Sequence, residues 1–419
     1  MPLPAFEGVQ MKTVCIKNIG LLATPEGSAA RKGEAQGKIR FVKNARVLIR
    51  DGVIAYAGED GGDIPAEAEI VDAGGCLVTP GLVDAHTHLI FGGWRQNELG
   101  LKLHGASYLD IQNAGGGIQS TTNATRRATE KELAEKARSA LDEMLRFGST
   151  TVEAKSGYGL ATAHELKALE VIRDLNDSHP IDLVATFMGA HLVPKEYKED
   201  REAYVRLVCE EMLPRVKEQG IAKFCDVFCE ADTFTVEESR RILEAGLKNG
   251  LRPKIHADEI QAIGGSTLAG EIGAISSEHL IVCPPEGIQA LAAGGVIACL
   301  LPATSFNLGA VFAPARDMVR AGVPVAMATD FNPGSCPCLN MQFVINLGCL
   351  KYKLTPEEVL TAVTLNGAAA IGMADRVGSL EAGKQGDVVL WDAPDLDYIC
   401  YRFGSNLVKS VFKKGVQAV

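Results

Sequence analysis

The stretch GLVDAHTHL, residues 81–89, decides how the rest of the chain is read. Three apolar positions lead into two histidines spaced two apart. In a β-strand, residues i and i+2 point to the same face, so His86 and His88 can present both imidazoles to one point. The pair is informative only if other strands deliver comparable groups. Seven further apolar segments follow: STTVEAKSG, DLVATFMGAH, KFCDVFCE, RPKIHADE, SSEHL, VIACLLP and PVAMATD. With GLVDAHTH they make eight strand candidates, each followed by a segment of helical character.

Several of those segments open with Thr and a Glu three residues later, the pattern of a capping box. Thr129/Glu132, Thr162/Glu165, Thr235/Glu238 and Thr355/Glu358 all fit, the last with Pro356 at the first helical position. Eight strands alternating with helices predict an α/β fold with parallel pairing closed into a (β/α)8 TIM-type barrel. Active sites of such barrels form at the C-terminal ends of the strands. The chain has eight histidines, and five of them (His86, His88, His191, His256 and His279) fall at predicted strand ends. Asp330 closes the eighth. Imidazoles with one carboxylate suit Zn(II) or Fe(II), and such an ion acidifies water and polarises a carbonyl. His104, His164 and His179 lie elsewhere, the last two as solvated groups in or after a polar helix face.

The two ends of the chain have a different texture. TVCIKNIG, ARVLIRDGVIAYAGE and AEIVDAGGCLVTPG are short, apolar-alternating and glycine-punctuated, as are VGSLEAGKQGDVVLWDA and VKSVFKKGVQAV. They predict one small β-sandwich domain built from residues 1–79 and 371–419, with the barrel over 80–370; the polar stretch Thr24–Gly37 reads as a loop.

At 419 residues, with 47% hydrophobic and 22% charged side chains, the composition is that of a globular protein. The net charge of −10 gives no electrostatic reason to expect nucleic acid or anionic membrane as a partner. Residues 1–20 lack a basic start followed by an apolar run, and no apolar stretch approaches a bilayer span, so a cytoplasmic location is expected. The eleven cysteines show no CxxC spacing and read as reduced thiols. The Gly115–Gly117 run lacks the spacing of a nucleotide-binding loop.

GLVDAHTHL, PVAMATD and GSLEAGKQGDVVLWD together resemble the amidohydrolase superfamily. The resemblance narrows to the imidazolonepropionase family over residues 86–126 and at EAKSGYGL, FMGAHLVP, HADEI and ATDFNPGSCPC. It implies hydrolysis of the cyclic amide of 4-imidazolone-5-propanoate to N-formimidoyl-L-glutamate in histidine degradation. It also implies one Zn(2+) or Fe(2+)/Fe(3+) ion on His86, His88, His256 and Asp330, and a cytoplasmic homodimer. Substrate contacts are implied for Arg95, Tyr108, Tyr158, His191, Glu259, Asn332, Gly334 and Ser335, and catalytic roles for Glu259, His279 and Asp330. Two-metal relatives bridge their ions with a modified lysine or a carboxylate at the end of the fourth strand; Glu230, which ends that strand here, keeps a second metal possible in principle, but the resemblance favours one. The chemistry agrees at Arg95, whose guanidinium fork suits a propionate. Two other readings share these residues: a deaminase of a cytosine- or guanine-like ring, and a non-catalytic barrel.

Overall fold

Strand pairing separates the chain into two sheets. The computed structural model describes residues 12–105 and 116–419. Strands β1 (Val14–Thr24), β2 (Arg40–Arg50), β3 (Val53–Glu59), β4 (Glu69–Asp72) and β5 (Leu77–Pro80) come first. Three strands from the other end, β14 (Val388–Trp391), β15 (Val408–Lys413) and β16 (Val416–Gln417), join them in the order β16-β15-β14-β5-β1-β2-β3, with β4 paired to β1. Both ends of the chain are needed because β5 lies between β1 and β14, so neither terminal segment completes the sheet alone. The apolar alternation read in these segments fills its core with Ile16, Leu22, Val47, Ile49, Val388 and Phe412.

The second sheet is parallel throughout. Its strands are β6 (Leu82–Asp84), β7 (Ser149–Lys155), β8 (Asp182–Ala190), β9 (Phe224–Cys229), β10 (Arg252–Ala257), β11 (Ser276–His279), β12 (Ile297–Leu300) and β13 (Val325–Met327), paired in sequence order. All eight coincide with the predicted segments. Closure comes just beyond the ends of β6 and β13, where Thr87 bridges Phe331 in parallel. The His88 amide donates to the Phe331 carbonyl at 2.8 Å, and the Asp330 amide to the His86 carbonyl at 3.1 Å. The seam that closes the barrel therefore runs between the residues expected to share an ion.

Three of the four capping boxes are present: Thr129/Glu132, Thr235/Glu238 and Thr355/Glu358. Thr162/Glu165 is not one. That helix, Thr162–Ser178, is preceded by Ala161 with no side-chain cap, and the Thr162 hydroxyl donates to Glu211 instead. Glu165 is drawn away by stronger donors, the amides of the loop before it. His179 also departs from expectation. It is buried, with Nδ1 accepting the Ile181 amide at 3.1 Å and Nε2 donating to Asp142 at 3.2 Å, because it closes the C-terminal end of the same helix. The Thr24–Gly37 stretch contains a 3-10 turn, Gly33–Gly37, whose buried Gln36 pairs with both backbone groups of Val325. All eleven cysteines are free thiols. Among the described residues, no helix is long and apolar enough to cross a membrane.

Candidate active site

β6 runs straight into His86 and His88, and period two puts both on the interior face. Their rings lie 5.3 Å apart. His256, the fifth residue of β10, lies 4.6 Å from His86, and its Nε2 is 3.3 Å from the Nε2 of His88. Asp330 Oδ1 is 3.5 Å from His86 Nε2 and 3.6 Å from His88 Nε2. His279 completes the cluster, 5.2 Å from the His256 ring. Asp330 and His279 have left-handed backbones, with φ of 57° and 67°. Non-glycine residues rarely adopt that conformation, and it recurs where a site over-determines the chain. At β11 its effect is concrete: neighbours Glu278 and His279 both reach the site, although a regular strand would send them to opposite faces.

Each of two histidines has a carboxylate behind it. Glu278 accepts from Nδ1 of His86 at 2.7 Å, and Asp226 accepts from Nδ1 of His256 at 3.0 Å. These bonds fix the tautomers and aim both Nε2 lone pairs inward. Burial holds the pKa values of His86, His88 and His279 well below the usual histidine range, so the rings are neutral. Nε2 of His86, Nδ1 of His88 and Oδ1 of Asp330 are buried without a hydrogen-bond partner. Converging lone pairs on neutral imidazoles repel one another unless a cation lies among them. The nitrogen-and-carboxylate donor set is the one Zn(II) or Fe(II) accepts, and these residues fit such an ion. Thr304 anchors the other oxygen of Asp330 at 2.6 Å, while burial raises that carboxyl to about 6.

Beneath the histidines lies a charged floor. Lys155 donates to Glu153 at 2.7 Å and to Asp226 at 2.8 Å; Lys254 lies 3.2 Å from Glu153 and 3.4 Å from Glu278. All five side chains are fully buried. Burial alone would raise the Asp226 carboxyl, but His256 and Lys155 outweigh it and hold it below the usual range. Burial would likewise lower Lys155, but Asp226 and Glu153 keep it charged. Sequence reasoning missed this layer. Its signal was available in part, since Lys254 stands two residues before His256 and Glu153 two before Lys155, on the same faces.

Around the cluster, His191 stacks on His88 with ring centroids 4.8 Å apart, and Tyr158 lies 5.1 Å from His191 and 5.8 Å from His88. His191 is neutral, its pKa lowered by burial to about 3. Glu259 approaches His279 Nε2 at 3.5 Å. Burial, reinforced by the charges of Asp330 and Glu230, lifts its carboxyl to about 8. Both oxygens of Glu230 are taken by the amides of Ala231, Ile260 and Gln261, so Glu230 braces the loop that carries Glu259.

Arg95 is buried and its Nε has no partner. Its guanidinium lies against Gly334 so closely that a Cβ there would sit 1.3 Å from a terminal nitrogen; glycine at 334 makes room for it. Asn332 folds the turn beneath, its Oδ1 accepting from the amides of Gly334, Ser335 and Cys336 and its Nδ2 donating to Ser335 Oγ. Tyr108 lies outside the described residues.

The model of the amidohydrolase family matches residues 77–418. The chain is 53% identical over 411 residues to the imidazolonepropionase of Alkaliphilus metalliredigens, covering 97% of each chain. It is 50% identical over 416 residues to that of Brevibacillus brevis, covering 97% of this chain and 98% of the relative. The chain belongs to the imidazolonepropionase family of amidohydrolases. Amidohydrolases are metal-dependent, in keeping with the histidine and aspartate cluster. Solved structures share the family's fold at low identity. An atrazine chlorohydrolase from Arthrobacter aurescens complexed with zinc superposes with a TM-score of 0.72 at 20% identity, covering 97% of this chain and 95% of that one. The guanine deaminase of C. acetobutylicum with bound guanine gives 0.69 at 18%, covering 97% and 100%.

Proposed function

We propose that this imidazolonepropionase-family enzyme adds water to the ring amide of 4-imidazolone-5-propanoate and releases N-formimidoyl-L-glutamate, a step of histidine degradation. His86, His88, His256 and Asp330 hold a single zinc or iron ion. When bound, that ion supplies water that deprotonates near neutral pH and a Lewis acid for the carbonyl.

The observation that carries the reading is Arg95, a buried guanidinium without a carboxylate partner among the described residues, at the edge of a histidine cluster. A cation so placed is matched by the propionate, through two parallel N–H···O bonds. Tyr158 and His191 form the wall against which the ring rests. Gly334 and Ser335 line the turn beside Arg95 and Asn332 holds that turn, while Tyr108 is assigned to substrate binding by the family resemblance alone. His279 stabilises charge on the carbonyl oxygen. Attack by water releases one proton and the departing ring nitrogen needs one; Glu259, whose carboxyl titrates near neutrality, takes the first and returns the second, with Asp330 assisting.

The same proposal includes domains at 1–79 with 371–419 and at 80–370, and a cytoplasmic homodimer. The test is incubation with freshly made imidazolone propanoate, following loss of its ultraviolet absorbance. Turnover abolished by chelator and restored by Zn(II) or Fe(II) is expected. Turnover of a neutral purine or pyrimidine ring in its place would overturn the substrate.

A further inference from the structure

Tyr158 sits in a loop, residues 156–160, that has no ladder of its own to hold it. Glu165, in the first turn of the following helix, is fully buried and supplies the missing acceptors. One oxygen accepts the Gly157 amide at 2.9 Å; the other accepts the Gly159 amide at 2.8 Å and the Leu160 amide at 2.7 Å. The carbonyls are gripped from the opposite side. Arg126 donates to Gly159 O at 2.7 Å and Leu160 O at 3.0 Å, and His191 Nδ1 donates to Gly157 O at 3.0 Å. The loop needs this help because its conformation is unfavourable: Gly157 has φ of 106° and Leu160 of 49°. A Cβ at Gly157 would lie 2.9 Å from the Met188 carbonyl oxygen.

One peptide segment thus connects Glu165 to both side chains of the wall. Its amides end on the carboxylate, a carbonyl ends on His191, and Tyr158 lies between, packed 5.1 Å from the His191 ring. The bond to Gly157 O also fixes the proton of His191 on Nδ1 and leaves Nε2 as an acceptor.

We infer that Glu165 is a positioning residue, whose carboxylate holds the 156–160 loop so that Tyr158 and the Nε2 acceptor of His191 face the substrate ring as one rigid wall. The inference rests on the reaction proposed above. Charge-assisted bonds to three amides make a preorganised wall, and misplacing such a wall by about 1 Å costs on the order of a hundredfold in rate.

The test is Glu165→Gln in the full-length, metal-loaded protein, since the carboxamide has one acceptor oxygen and turns an N–H toward the loop amides. Hydrogen exchange over residues 156–160 should accelerate at least about tenfold, the loss of roughly one charge-assisted bond. Metal content should stay at the wild-type value. KM for imidazolone propanoate should rise about tenfold, with a smaller change in kcat. Adding Tyr158→Phe to Glu165→Gln should cost little more than the worse single change, because both act on one wall. If Glu165→Gln does not fold, Arg126→Gln loosens the loop from its carbonyl side and should shift exchange and KM in the same direction. Unchanged exchange over 156–160, or losses that simply add to those of Tyr158→Phe, would overturn the inference. Exchange needs no substrate, so an unreactive wild-type protein would sink the proposed reaction while leaving the clamp to be decided.

Discussion

Two polar assemblies lie within the same barrel, one above the other, and their hydrogen bonding follows opposite rules. In the floor, Lys155 and Lys254 are bracketed by Glu153, Asp226 and Glu278 at 2.7–3.4 Å, and only one oxygen of Glu153 lacks a partner. At the mouth, His86 Nε2, His88 Nδ1, His279 Nδ1, Asp330 Oδ1 and Arg95 Nε are all buried without one. Leaving such atoms unpaired costs folding free energy, and the floor shows that this chain can pair them when nothing else will bind. A cation between His86 Nε2 and Asp330 Oδ1 and a carboxylate at Arg95 would complete the structure there. The floor is the device that lets the mouth stay open, since it fixes His86 and His256 from behind.

Breaking the floor should have the largest effect. Lys155→Met leaves Asp226 buried without a lysine and Glu153 with Lys254 alone, and unfolding in urea should show a loss of about 3–5 kcal/mol. A loss below about 1 kcal/mol would mean that the floor is not under electrostatic tension.

Arg95→Ala probes the other half of the comparison. Its Nε has no hydrogen-bond partner and no carboxylate among the described residues pairs with it, so stability should change by less than about 0.5 kcal/mol. Catalytic efficiency on the propionate substrate should fall about 10–100-fold, the worth of hydrogen bonds to a charged partner. Equal stability loss and unaltered KM would reverse the assignment of Arg95 to the mouth.

Gly334→Ala sharpens the same point with a single methyl group. The new Cβ claims the space of the guanidinium, so KM should rise about tenfold while metal content is unchanged. Arg95→Ala in that background should add little, as expected of two changes at one contact.

The smallest expected effect is on pH dependence after metal removal. Burial raises Asp330 to about 6, Asp84 to about 7 and Glu259 to about 8, against ordinary values of 3.8, 3.8 and 4.5. Between the ordinary and raised values the folded protein holds protons that the unfolded chain has released. The contribution of these three carboxyls to stability therefore falls as pH rises through that window. Below about pH 6.5 the buried neutral histidines His86, His88, His191 and His279 act in the opposite sense, so the urea midpoint of the chelator-treated protein should drop only between about pH 7 and 8, where Asp84 and Glu259 titrate. Glu259→Gln should flatten the last part of the drop, near pH 8.

The eight barrel strands were legible because each is an apolar run ending in a polar or turn residue, and the five strand-end histidines identified the catalytic end. The terminal sheet was legible through period-two alternation at both ends of the chain. Other features were not. Thr162/Glu165 has the spacing of a capping box, yet Glu165 meets three loop amides that local pattern cannot reveal. His179 reads as solvated because nothing in its neighbourhood announces Asp142, thirty-seven residues earlier. Glu230 reads as a candidate bridge between ions, whereas its oxygens hold the Glu259 loop.

By itself the sequence determined which residues could serve: side-chain chemistry and the two-residue period of a strand are local, so the five strand-end histidines and Asp330 could be named without coordinates, and the family resemblance narrowed them to His86, His88, His256 and Asp330. Tertiary structure decided which of them meet and in what protonation state. The 3.3 Å between His88 and His256 depends on barrel closure, the neutrality of His86, His88 and His279 on burial, and the aim of His256 and His86 on Asp226 and Glu278 reaching across from neighbouring strands. Those are properties of strand register and packing, which bring together residues far apart along the chain.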